Sequence, residues 1–145
     1  MSKLKLWEVG PDLYISAVPR TGDADVIREA GITSIYCMSK MRTDEEVIES
    51  VQKWEYCHVP DGKKVPEAQL RHVVTSALSD LKEGHVVLIH CLGGRNRSML
   101  AAALVERARN YWSGLEAWDH AMIIRRGSLK NPVTAEWLRN LPELR

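Results

Sequence analysis

Cys91 and Arg97 are separated by five residues in the run His90-Cys91-Leu92-Gly93-Gly94-Arg95-Asn96-Arg97-Ser98. The apolar stretch Val86-Val87-Leu88-Ile89 precedes it, and the helix-forming Met99-Leu100-Ala101-Ala102-Ala103-Leu104-Val105 follows. The order is buried strand, short glycine-containing loop, helix. Such a loop turns successive backbone N–H groups toward one spot, and the helix N-terminus adds positive potential there. Leu92, Gly93, Gly94, Arg95, Asn96 and Arg97 are therefore expected to cradle an anion of phosphate size. Cys91 gives that cradle a nucleophile. An ordinary thiol is only a few per cent ionised near neutral pH, so loop N–H donors and the Arg97 charge are expected to favour its thiolate. The five intervening residues let the chain wrap a semicircle that returns Arg97 to face the sulfur. Its planar fork can hold two phosphate oxygens while sulfur attacks phosphorus. Ser98 can hydrogen-bond the sulfur and ease its later departure. His90 is expected to orient the loop through backbone hydrogen bonds rather than carry protons.

Displacing an alkoxide or phenoxide from phosphorus also needs an acid. Val59-Pro60-Asp61-Gly62-Lys63-Lys64-Val65-Pro66 follows the strand-like Trp54-Glu55-Tyr56-Cys57-His58 and precedes a helix starting near Pro66. Asp61 thus falls on a strand-to-helix loop beside Pro and Gly, a setting that suits a shaped or mobile acid loop. Proton donation of this kind is worth about 10²–10⁴ in rate. Asp before Gly is also a common turn former. Asp44 and Asp80 are weaker candidates, reading as the first turn of one helix and the end of another.

His-Cys, five residues, Arg, then Ser resembles the active loop of the cysteine-dependent protein tyrosine phosphatase superfamily, and the short chain is most similar to its dual-specificity branch. The resemblance extends to Asp61-Gly62 with Pro66, to Pro11-Asp12-Leu13-Tyr14-Ile15-Ser16 and Gly31-Ile32-Thr33-Ser34-Ile35, and to Arg125 with Asn131-Pro132, where the aromatic that often follows is missing. It implies catalytic Cys91, Arg97, Asp61 and Ser98, a supporting His90, a phosphocysteine intermediate and no cofactor or metal. It implies protein phosphotyrosine or phosphoserine/threonine as the leading substrate class, since no long phosphotyrosine-clamping insertion is apparent. Arg95 resembles an extra loop cation of lipid-phosphate and phosphoinositide phosphatases, and Asn96-Arg97 is similar to the RNA 5′-triphosphatase branch. A nucleotide P-loop is disfavoured because no Gly-Lys-Ser or Gly-Lys-Thr follows the glycines. A phosphate-binding module without turnover would more often lack one of these four residues.

Composition fits one globular domain over residues 1–145, with 45% hydrophobic and 27% charged residues. A formal net charge of +1 argues against a nucleic-acid or membrane partner selected by global field. Three cysteines without paired spacing indicate neither a disulfide framework nor zinc, and a working thiolate points to a reducing, cytoplasmic setting. Cys37 and Cys57 read as core thiols, and His58 alternates with core positions. His72 and His120 sit on helices with no second metal ligand near them in sequence, so no metal is assigned. The cluster Arg125, Arg126 and Lys130 reads as a solvated face or a second-phosphate contact.

The pattern predicts strands at Leu13–Ser16, Ile32–Cys37, Glu55–Val59 and His85–His90. Helices are expected at Asp23–Ala30, from a Thr43 capping box to about Val51, at Pro66–Leu81, Asn96–Arg109, from a Ser113 capping box to about Arg125, and at Val133–Leu141. Alternation of this kind implies an α/β fold: a central, largely parallel sheet of four or five strands with helices on both faces. The Cys91 loop then lies outside the carboxyl end of a central strand.

Overall fold

The computed structural model describes residues 3–144. Its centre is a five-stranded sheet of order β1-β2-β5-β3-β4, made of β1 (Trp7–Gly10), β2 (Leu13–Ser16), β3 (Ser34–Cys37), β4 (Lys53–Tyr56) and β5 (Val87–His90). Strands β2, β5, β3 and β4 are mutually parallel, and β1 joins β2 antiparallel at the edge. The helices are α1 (Ala24–Glu29), α2 (Glu45–Glu49), α3 (Glu67–Lys82), α4 (Arg97–Asn110), α5 (Gly114–Ile124) and α6 (Pro132–Arg139).

Period-two alternation distributes the strands between two cores. Leu13, Ile15, Tyr36, Val87 and Ile89 face α3 to α6, meeting Leu70, Val73, Ala77, Met99, Ala103 and Leu138. Ile35 and Leu88 face the other way, onto Ala24 and Ile27 of α1 and Val47 of α2. Every residue of β5 is buried, as a central parallel strand covered on both faces requires. The α/β architecture with helices on both faces is as the sequence pattern implies. Trp112, Trp118 and Trp137 pack among the C-terminal helices.

Four local expectations are corrected. Leu13–Ser16 is the second strand; β1 precedes it as a bulged, partly exposed edge that lacks the apolar run of a central strand. Strand β4 covers Lys53–Tyr56 rather than running to Val59, although Cys57 N and Val59 N still donate to Cys37 O and Met38 O. His58 is consequently exposed instead of alternating with the core. The cap of α2 is Asp44, whose carboxylate accepts from Glu46 N, because the Thr43 hydroxyl is drawn inward to His90 and Trp54. The Ser113–Glu116 capping box forms as expected.

Register fixes where the loop emerges. Ser16 and Cys37 flank His90 on either side at the carboxyl ends of their strands. The chain leaving His90 therefore rises from the middle of the sheet, and α4 starts at Arg97.

Candidate active site

Cys91 is 3% exposed at the foot of the loop. Gly94 N donates to its Sγ at 3.2 Å, and the Ser98 hydroxyl lies 3.3 Å from it. Burial alone pushes the thiol pKa up. The Ser98 hydroxyl, the Ser98 and Gly94 amides and the Arg97 charge outweigh it and hold the pKa below the ordinary thiol range.

The Gly94 and Ser98 amides face the sulfur, and carbonyls of the run are engaged outside it. His90 O accepts from Met38 N, Leu92 O from Val18 N and Arg95 O from Leu129 N. Arg125 Nη1 donates to Gly94 O at 2.6 Å and to Gly93 O at 3.3 Å, while its guanidinium stacks 3.8 Å from the Trp7 ring centroid. Five peptide planes of the run are thus held by partners outside it. Gly94 is required on two counts: its φ is +68°, and a Cβ there would stand 2.6 Å from the Ser16 carbonyl carbon. Gly93 has open space around its Cα and carries no such demand.

Arg97 is braced through Nη1, which donates to Val59 O at 3.1 Å and Met38 O at 3.4 Å. Those carbonyls lie on the segments that leave β4 and β3, so the carboxyl end of the sheet braces the fork. His90 is completely buried, and its desolvation drives its pKa down to about 4, leaving a neutral ring at physiological pH. Its Nε2 lies 2.6 Å from the Thr43 hydroxyl, which accepts from Trp54 Nε1 at 2.8 Å. The hydroxyl thus bridges His90 and Trp54. The imidazole is anchored to the Thr43 side chain and carries no charge.

Asp61 stands at the rim on an exposed loop. Asn131 Nδ2 donates to its Oδ1 at 2.8 Å and to Gly62 O at 2.9 Å, and Asn96 Nδ2 reaches its Oδ2 at 3.5 Å. Asp61, Asn96 and Arg97 line one recess. Asn96 also accepts from Lys130 N through Oδ1 at 2.6 Å, joining the Cys91 loop to the segment before α6. Asp44 caps α2, and Asp80 is buried at the opposite end of the sheet. Of the three carboxylates considered, Asp61 alone is tied to the Cys91 loop.

The sequence pattern makes Thr43 a helix cap, gives Asn131 no task, and reads Arg125 with Arg126 and Lys130 as a solvated face or a second-phosphate contact. Their side chains meet the site across more than thirty residues of chain, and no local spacing encodes that. Of the other thiols, Cys37 is buried and Cys57 half-buried. Burial and then Glu55 push Cys57 up to about 12, the reverse of the shift at Cys91.

The same architecture recurs in solved structures. The chain is similar to the active form of Tk-PTP (TM-score 0.82, 19% identity, covering 92% of this chain and 93% of that one). It is similar to a mouse putative dual specificity phosphatase complexed with zinc tungstate (TM-score 0.80, 19% identity, 92% and 84% covered). It is also similar to PTPMT1 in complex with PI(5)P (TM-score 0.78, 22% identity, 92% of each chain). The fold is that of the dual-specificity-like, cysteine-dependent tyrosine phosphatases. No family model matches the chain, and no curated relative matches it by sequence. Among the described residues, no helix is long and apolar enough to cross a membrane.

Proposed function

We propose that the chain hydrolyses phosphomonoesters through a phosphocysteine intermediate, acting on phosphotyrosine and phosphoserine/threonine of proteins in a reducing compartment. The observation that carries the reading is a buried sulfur whose thiolate is favoured by Ser98, Gly94 and Arg97, with Asp61 clasped at the rim above it. The Cys91 thiolate attacks phosphorus, forming the S–P bond as the ester P–O bond breaks. Protonated Asp61 gives its proton to the departing oxygen. The Asp61 carboxylate then takes a proton from water, whose oxygen attacks phosphorus and expels the thiolate toward the Ser98 hydroxyl. Loop amides and the Arg97 fork hold the equatorial oxygens, where charge develops.

One observation favours a second reading. The Arg95 charge acts on Arg125, so two guanidiniums stand near one another beside the loop. That surplus suits a substrate with several phosphates, such as a phosphoinositide.

The test is hydrolysis of para-nitrophenyl phosphate, phosphopeptides, phosphoinositides and 5′-triphosphate RNA. Wild type should turn over the aryl phosphate in chelator, and Cys91→Ser should abolish turnover while still binding phosphate. Asp61→Asn should lower kcat about 10²–10⁴-fold for alkyl esters and far less for the nitrophenyl ester. Wild-type turnover no better than Cys91→Ser leaves a phosphate-binding module. Preference for phosphoinositides over phosphopeptides, lost in Arg95→Ala, selects the second reading.

A further inference from the structure

Away from the Cys91 loop, three side chains with metal-ligating atoms converge where β4 meets α3. Glu55 and Cys57 are two residues apart on extended backbone, so both side chains leave on the same side. His72 comes down onto them from α3. Cys57 Sγ donates to Glu55 Oε2 at 2.5 Å, and His72 Nε2 pairs with that same oxygen. All three ligand atoms lie within 4.8 Å of one another. They open onto a shallow recess that His58 and Gln69 also line.

We propose that Glu55, Cys57 and His72 form a zinc site, with water in the fourth position. The donor set selects the metal. Calcium and magnesium demand oxygen ligands, whereas thiolate with imidazole and one carboxylate suits a borderline-soft tetrahedral ion. Ligands about 2.0–2.3 Å from zinc stand roughly 3.3–3.7 Å apart, so binding asks the trio to open by about an ångström. His72, with its side chain 56% exposed on the helix surface, can supply that movement by side-chain rotation. On binding, the Cys57 thiol releases its proton to solvent and forms the Zn–S bond. Glu55 and neutral His72 contribute lone pairs, and the two anionic ligands balance the dication.

A second trio, Asp80, Glu83 and His85, shows what disqualifies a cluster. Asp80 already accepts from Lys53 Nζ at 2.8 Å, so an ammonium stands where a cation would sit. The Lys53 charge still reaches Glu55 and Cys57, but its ammonium hydrogen-bonds to Asp80 and Tyr36 and not to the first trio. Zinc at the first trio ties the end of β4, from which Val59 and Asp61 follow, to α3, without touching the Cys91 loop.

The test uses the full chain as Cys91→Ser, which removes the competing active-site thiol. Cobalt titration should give a thiolate-to-metal charge-transfer band saturating at one equivalent, displaced by zinc with an apparent Kd of micromolar or tighter. Cys57→Ser should lose the band. His72→Gln, a surface change that leaves folding intact, should bind at least tenfold more weakly and lose the rise in Tm that zinc gives its parent. Absence of a stoichiometric band together with an unchanged Tm in zinc overturns the site, as does a band that survives Cys57→Ser.

Discussion

The two ends of the parallel strands each gather donors around one anionic group, with opposite results. At the amino ends, the Asp80 carboxylate accepts from Ser34 Oγ at 2.7 Å, Tyr36 Oη at 2.5 Å and Lys53 Nζ at 2.8 Å. It is 2% exposed, and both of its oxygens accept from the protein. At the carboxyl ends, the Cys91 sulfur is approached by the Gly94 amide, the Ser98 hydroxyl and amide and the Arg97 charge, none of them spent on a resident carboxylate. Donors matched to a resident anion give stability. Donors in excess of it give a place for a visiting anion, the usual division between the two edges of such sheets.

Crossing the two ends by mutation tests that division. Gly94→Ala strikes the open end hardest: the Ser16–Ala17 backbone blocks a Cβ, so the loop must shift and its amide must leave the sulfur. A loss of roughly 10²–10³ in kcat is expected, the scale for losing one oxyanion donor. Circular dichroism and Tm should change far less than kcat. Near-normal turnover of this variant would place the working donors elsewhere.

Asp80→Asn should do the reverse. It leaves Lys53, Ser34 and Tyr36 facing an amide and costs about 3 kcal/mol, discounted from a fully buried pair because Lys53 is partly exposed. That lowers Tm by about 6–12 °C, with kcat/KM intact at temperatures where the protein is folded. The pH dependence has a definite sign. Burial raises the Asp80 pKa, but Lys53, Tyr36 and Ser34 outweigh it and hold the carboxyl below its ordinary value. Its stabilisation is therefore complete above the unfolded value of about 3.9 and is lost as pH falls through the lower folded one. Urea titrations should show wild-type stability falling more steeply than that of Asp80→Asn below about pH 4. Parallel acid limbs would remove Asp80 from the account of stability.

How much of this was legible before folding depends on how local each device is. Strand, Cys91 loop and α4 form one continuous segment, so their order and chemistry stand in the sequence. A sheet covered on both faces is equally readable from the alternation of strands with helices, whereas which strand residue faces which core comes from the structure. Strand β1 was not, because a bulged edge strand needs no apolar run and exists through its pairing with β2. Thr43 and Asp44 are both good caps by type, and only the approach of His90 and Trp54 decides between them. Arg125 reads as surface charge until Trp7 and the Gly94 carbonyl come beside it. Nothing near His72 in sequence points to Glu55 of β4 and Cys57 just beyond it, which the fold brings beside its ring.

A smaller effect separates Ser98 from the rest of the bowl. Its hydroxyl is the foremost of the influences lowering the Cys91 pKa against burial. Because that pKa is depressed, alkylation by iodoacetamide should rise with pH at values below the ordinary thiol range. In Ser98→Ala the rising limb should move to higher pH, and alkylation near pH 6 should fall about three- to tenfold, the size of one lost hydrogen bond to a charged group. A limb that stays in place would assign thiolate stabilisation to the amides and Arg97 alone.

The most delicate change concerns the link between α6 and the rim. Asn131 does two things: its Oδ1 caps α6 by accepting from Val133 N at 3.0 Å, and its Nδ2 holds Asp61 and Gly62. Asn131→Ala removes both, and the lost cap alone costs about 1 kcal/mol. Asn131→Ser keeps a capping oxygen but is too short to reach Asp61. If Asn131 positions the acid, the serine variant should keep its Tm and lose a few-fold to tenfold in kcat on alkyl phosphates, with little change on the nitrophenyl ester. That leaving-group dependence cannot arise from loosened packing, which would slow both substrates together. An equal loss on the two esters would leave Asn131 a helix cap and nothing more.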